Sequence, residues 1–293
     1  MREREANSGT PMKRLKDNFW LWGQTAGTHH LANNNHYKLP GENKMTPAQG
    51  CEYFGIPNCC RVVMENLPLP PFDEESKAMA HLQQVVWSII GSGGSDRNNV
   101  GLGDVDEVIR QARMFPNITG GVLDDFLNQA RLALFPLEKV VELRKKLNSE
   151  VGRPLDLWVV LYDEQLNDPV QPYLDACDVI TFWTWCASNL VNLDDNLQRM
   201  IEMTPDKRRL AGLYMWNYGE SRPMEIAQME QQCERYLHYI RQGQIEGVVV
   251  CSNCIADIGL EAAKWTRNWI QQVGGEMHPR FLRRSEHHTE RLS

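Results

Sequence analysis

The chain has 293 residues, 24% of them charged and 42% hydrophobic, with a formal net charge of -7; this is the balance of a globular protein long enough to bury a sizeable core. Negative charge disfavours nonspecific attraction to nucleic acid or an anionic membrane, and no run of about eighteen apolar residues offers a membrane span. The opening MREREANSGTPMKRLKD lacks the apolar core of a secretory signal, so a cytoplasmic protein without nucleic-acid or membrane partners is expected.

The charged residues 1–18 read as a flexible leader. FWLWGQT (19–25) is the first predicted strand, followed by a polar loop of about twenty residues, long enough to suggest a functional role. Thr46-Pro47 then supplies an N-cap and a proline at the first helical position. IPNCCRVVM (56–64) is the second strand, with a helix from Asp73 to Gln83 whose first turn is acidic. VVWSIIG (85–91) is the third, followed by a second long polar loop and the helix DVDEVIRQARMF.

ITGGVLDDFL (118–127) is the fourth strand and ends in two adjacent carboxylates, Asp124 and Asp125. LDLWVVLYDEQ (155–165), CDVITFWTW (177–185), RRLAGLYMWNYGE (208–220) and IEGVVVCSN (245–253) complete the set, each followed by a helical pattern. Residues 274–293, rich in Arg, His and Glu, read as a polar tail. Eight apolar strands alternating with eight helices predict a parallel sheet covered by helices, here a single (β/α)8 barrel over 19–273 with long loops after strands one and three. No G-x-G-x-x-G follows the first strand, which removes the main sign of a dinucleotide-binding fold.

In such barrels the site lies at the C-terminal strand ends, and these ends are aromatic and acidic. Tyr162, Trp183, Trp185, Tyr214, Trp216 and Tyr218 are placed to ring the mouth. Sugar rings stack an apolar face on such aromatics while polar side chains take the hydroxyls. Trp183 and Trp185 share one face of a strand by the period of two, which makes them a pocket wall. Glycoside cleavage needs a proton donor and a second carboxylate. By parity Asp125 is the preferred inward acid with Asp124 as its support, and the second carboxylate is Glu220, Asp163, Glu164 or Asp124 itself. His29, His30 and Asn253 are further candidates for ligand contact. Arg61, in an apolar strand, calls for a carboxylate partner, expected to be a strand-end acid. Glycine-rich phosphate cradles are missing after strands seven and eight, so phosphorylated substrates are not favoured.

Cys251 and Cys254 form a lone CxxC; with no second ligand pair at zinc spacing, buried hydrophobic cysteines are the preferred reading.

The GGVLDDF strand end, the Trp-rich sixth and seventh strands and the His-rich first loop resemble the glycoside hydrolase superfamily of TIM barrels. The WGQTAG, LDDF and FWTW segments are also similar to those of a group of bacterial proteins. The resemblance implies a carbohydrate substrate, no cofactor, a strand-four acid as proton donor at Asp125 or Asp124, and a strand-seven glutamate that falls on Glu220. The Asn-Glu pair usual at strand four is absent, as is the spaced acidic run of chitinase-like barrels. Two alternatives stay open. One is a divalent-metal sugar isomerase or epimerase drawing ligands from His29, His30, Asp125, Asp163 and Asp257. The other is a noncatalytic sugar-binding barrel. Sugar, linkage and oligomeric state are left open.

Overall fold

The computed structural model describes residues 13–279. Eight parallel strands close into a barrel in sequential order. They are β1 (Trp20–Gly23), β2 (Asn58–Arg61), β3 (Gln84–Ile90), β4 (Ile118–Leu123), β5 (Asp156–Tyr162), β6 (Val179–Trp183), β7 (Arg208–Tyr214) and β8 (Gly247–Cys251). β8 returns to β1 with Leu21 opposite Val250, which closes the ring. Every residue of β1, β2, β6 and β8 is buried, because helices cover the outer face and side chains fill the interior.

The expected (β/α)8 architecture is therefore the one observed. The helix Pro47–Phe54 starts as its sequence dictates: Thr46 accepts from the Gln49 amide at 3.3 Å, the Gln49 side chain accepts from the Thr46 amide at 3.0 Å, and Pro47 fills the first position. Amphipathic helices such as Val105–Met114 and Ile226–Arg241 lay their apolar stripes on the barrel. A short helix, Gln129–Leu134, capped by Asn128, follows β4 before the longer helix Leu137–Ser149. The seventh strand is shorter than its apolar run suggests. It ends at Tyr214, and Trp216–Asn217 instead pairs antiparallel with Arg222–Pro223 in a small hairpin above the barrel.

Tryptophans fill the interior. β1 and β5 stand on opposite sides of the ring, yet the Trp20 and Trp158 rings meet edge-to-face at 4.7 Å, so their contact crosses the barrel. Trp22 and Trp183 meet in the same way at 5.3 Å, one layer nearer the mouth. Glycines on neighbouring strands make room for these rings. A Cβ at Gly212 would lie 2.0 Å from Trp183 ring carbons; one at Gly120 would meet the Asp156 carbonyl oxygen at 2.5 Å before Trp158 Nε1 at 3.3 Å.

The ends of the chain are packed where they are described. Arg14 bridges to Met277, the Leu15 amide donates to the Glu276 carbonyl at 2.8 Å, and buried His278 contacts the Glu246 carbonyl at 3.0 Å. Residues 13–18 and 274–279, read from composition as leader and tail, thus close the barrel end opposite the mouth. Residues 1–12 and 280–293 lie outside the described residues. Among the described residues no helix is long and apolar enough to cross a membrane.

Candidate active site

A pocket opens at the C-terminal ends of the strands, and every strand or its following loop contributes to it. From the first unit come Trp22, Gln24, His29 and Tyr37; Met64 follows β2 and Ser92 follows β3. Asp124 and Asp125 stand at the end of β4, Tyr162 ends β5, and Trp185 follows β6. Tyr214, Tyr218 and Cys251 complete the wall.

The acids lie together, and both reach the pocket. Alternation holds only along extended backbone, and β4 stops at Leu123. Asp125 adopts a left-handed conformation, φ 45°, tolerated by aspartate better than by most residues. The parity expectation of one inward acid therefore does not apply beyond the strand.

Their surroundings differ. Asp124 is 4% exposed, and burial, reinforced by the charge of Asp125, pushes its carboxyl well above the usual carboxylate range; the nearby Arg131 guanidinium offsets part of this. Asp125 accepts twice, from the Gly93 amide at 2.7 Å and from the Tyr162 hydroxyl at 2.6 Å. Burial and then the charge of Asp125 keep Tyr162 protonated, as a donor. Arg131 is itself buried and gives its Nη2 to the Ser92 and Ser95 carbonyls at 2.7 and 3.3 Å.

The opposite wall is uncharged. Burial, then His30, lowers the His29 pKa to about 3, so its ring is neutral. Its Nδ1 lies 2.9 Å from the Tyr218 hydroxyl, which accepts from the Cys251 thiol at 3.9 Å. Burial raises that thiol, leaving no thiolate. Trp185 stands amid four tyrosines, with ring centroids at 5.8 Å from Tyr162 and Tyr218, 5.9 Å from Tyr214 and 6.3 Å from Tyr37.

Of the residues singled out in sequence as site candidates, His29, Asp124, Asp125, Tyr162, Trp185, Tyr214 and Tyr218 meet in this pocket. The others hold it in place. Trp183 lies beneath it, 2% exposed, against Trp22 and Tyr214. It ends β6 facing the interior, while Trp185 lies past the strand; only the latter forms wall. Trp216 donates its indole N–H to the Tyr37 carbonyl at 3.1 Å and so fixes the first loop. Asn253 accepts from the Gln24 amide at 2.8 Å and donates to the Gln24 and Met45 carbonyls.

Asp163 accepts from the Trp185 amide at 3.2 Å and from Asn189 at 2.9 Å. Glu220 sits outside the pocket, where hydrogen bonds from Ser188 and then Arg222 hold its pKa near 2. His30 turns to the Pro40 carbonyl at 3.2 Å. Arg61 is fully buried, and its acid is Glu75 at 3.1 Å, on the helix after β2 instead of a strand end. Asp257 takes Asn43 and the Lys44 and Met45 amides, pinning the loop that delivers Tyr37.

The proposed metal ligands are therefore dispersed, and among the described residues no three His, Cys, Asp or Glu side chains converge to hold an ion. Cys254 contacts the Thr25 carbonyl at 3.3 Å as a buried thiol.

Sequence reasoning did not anticipate Gln24, Tyr37, Met64 or Trp22 as lining. Gln24 is the first residue past β1, so the strand-end rule alone would have found it. Tyr37 had no such signal, because its position depends on a loop held by distant residues.

No known protein family matches the sequence, and no curated protein matches it. Solved structures are similar to it in backbone. The spore cortex-lytic enzyme SleL of Bacillus megaterium superposes with a TM-score of 0.53 at 11% identity, covering 92% of this chain and 75% of its own. An endo-β-N-acetylglucosaminidase from Cordyceps militaris superposes with a TM-score of 0.50 at 13% identity, covering 87% of this chain and 90% of its own. At these identities the likeness concerns the backbone, and it agrees with the closed ring described above. The chain is thus a (β/α)8 TIM barrel in fold.

Proposed function

We propose that the pocket is the active site of a carbohydrate-active enzyme that cleaves or transfers a glycosidic bond. Asp124 is the proton donor and Asp125 the carboxylate facing the positive charge that develops at the anomeric carbon. The observation that carries this reading is the unequal pair at the end of β4: one carboxyl buried and driven toward its acid form, the other held by two donors. Neighbouring carboxyls in different environments divide acid and charge-stabilising work between them.

Asp124 protonates the departing oxygen as the bond to the anomeric carbon breaks; Asp125, oriented by Tyr162 and Gly93, stabilises the cationic ring. Water adds at that carbon, and its proton restores the acid form of Asp124. Trp185 and its tyrosines offer the apolar faces on which a sugar ring stacks. The test is turnover of a panel of 4-nitrophenyl glycosides by wild type, Asp124→Asn and Asp125→Asn. The wild type should release nitrophenol from at least one member, Asp125→Asn should lose about 10²-fold or more, and Asp124→Asn should lose less, because nitrophenolate departs with little help from an acid. Undiminished turnover in both variants overturns the assignment.

A further inference from the structure

The pocket carries charge of one sign only. Asp124 and Asp125 line it, no lysine or arginine does, and His29 is neutral. Glu65 adds negative charge near Tyr37 from the loop after β2. Arg131 does not line the pocket; its Nη2 is given to the Ser92 and Ser95 carbonyls while its Nη1 has no partner, and its charge acts on Asp124 and Asp125 from behind the lining. A ligand bearing carboxylate, sulfate or phosphate would meet two acidic residues and no lysine or arginine in the lining.

The remaining walls are rings. Trp185 is set among Tyr37, Tyr162, Tyr214 and Tyr218, all within 6.3 Å centroid to centroid. The Tyr214 and Tyr218 rings are themselves 5.1 Å apart, and Tyr37 and Tyr218 are 5.0 Å apart. Faces of such rings attract a cation placed within about 6 Å of their centroids, more strongly where water is excluded. Aromatic faces beside carboxylates, with no lysine or arginine in the lining, make the chemistry of an ammonium site.

A separate observation asks for a donor from the ligand. Gln24 is 3% exposed and lines the pocket; its Nε2 is given to Met64 Sδ at 3.2 Å, while its Oε1 has no partner. Asn253 clamps the Gln24 backbone on both sides, through the amide at 2.8 Å and the carbonyl at 2.9 Å. An amide oxygen buried without a donor is costly, and an incoming N–H or O–H removes that cost. Ser92 Oγ, 8% exposed as a residue, is a second unpartnered atom in the same lining.

We infer that the pocket selects a sugar carrying a free, protonated amine, an unacetylated amino sugar, with Asp125 and the tyrosine–tryptophan cage taking the ammonium and Gln24 Oε1 taking a further ligand hydrogen. An N-acetyl group removes the charge, and a plain hydroxyl lacks it, so both relatives lose the Coulombic and cation–π contributions. Asp124 keeps its proton for the leaving oxygen. This inference rests on the carbohydrate reading above.

The experiment is calorimetric titration of the full chain at about pH 6, where an ordinary amine is protonated. The probes are D-glucosamine, D-glucose and N-acetyl-D-glucosamine, the corresponding galacto trio, and tetramethylammonium. The expected result is that, in at least one trio, the amine binds about tenfold or more tighter than both neutral members. Asp125→Asn should erase that preference, and Gln24→Leu should weaken all sugars without erasing it. Neutral or N-acetylated sugars binding as tightly as the amine overturn the inference and leave the carbohydrate reading standing. Tetramethylammonium binding with no sugar binding overturns the carbohydrate reading and, with it, the amino-sugar inference. Absence of binding by every probe overturns both.

Discussion

The Tyr162 hydroxyl donates to Asp125 Oδ1 at 2.6 Å, tying the end of one barrel strand to the end of its neighbour. With the Gly93 amide on the other oxygen, this bond fixes the Asp125 carboxylate in one orientation. Tyr162→Phe keeps the ring beside Trp185 and removes only the donor. The fold should lose about 0.5–1.5 kcal/mol in urea unfolding, while kcat/KM should fall about tenfold, the larger effect being on kcat. Unchanged kinetics would show that this orientation does not matter to turnover.

Glu220 is the residue on which a strand-seven nucleophile falls by resemblance, yet it faces Ser188 and Arg222 outside the pocket. Glu220→Gln should therefore leave kcat/KM within about threefold of wild type, against the loss of about 10²-fold that removal of an acid–base group entails. A hundredfold loss in steady-state assays would return Glu220 to the chemistry.

The barrel and its strand order were legible in the sequence because buried parallel strands are near-continuous apolar runs, as in VVWSII and DLWVVLY. The acid pair was legible for a similar reason: β4 is apolar up to Leu123 and then abruptly charged. What the runs concealed is where extended backbone stops. The apolar residues after Tyr214 continue the pattern, but they belong to a hairpin, which carries Trp216 onto the Tyr37 carbonyl and Glu220 away from the mouth. Likewise, the alternation that joins Trp183 and Trp185 in one wall fails at the end of β6, and the first became barrel filling. Tyr37 was hidden because Asp257, Asn43 and Trp216, distant in sequence, set its place.

Gly212 is where the interior Trp183 ring demands a missing side chain. Gly212→Ala brings a carbon within 2.0 Å of that ring; the ring must move into space already occupied by Trp22 and Tyr214. Thermal or urea unfolding should show a loss of about 1–3 kcal/mol or more. Stability equal to wild type would mean that the ring yields freely.

Asp124 makes stability depend on pH. Its folded-state pKa lies above the unfolded value, so the unfavourable contribution is absent below about pH 4 and grows as pH rises toward the folded pKa. Over that interval its share of the decline approaches about 1.4 kcal/mol per pH unit. Asp124→Asn lacks this dependence, and its stability relative to wild type should increase with pH in paired urea titrations. Parallel curves would contradict a buried, acid-form Asp124.

The central claim is that Asp124 delivers a proton to the leaving oxygen, and its most direct test varies that oxygen. Asp124→Asn is assayed on two glycosides of one sugar, an alkyl glycoside and a 2,4-dinitrophenyl glycoside whose aglycone departs without protonation. On the alkyl substrate kcat/KM should fall by about 10²–10⁴-fold relative to wild type, while on the dinitrophenyl substrate it should stay close to wild type. Equal losses on the two substrates, or no loss on either, would contradict the account.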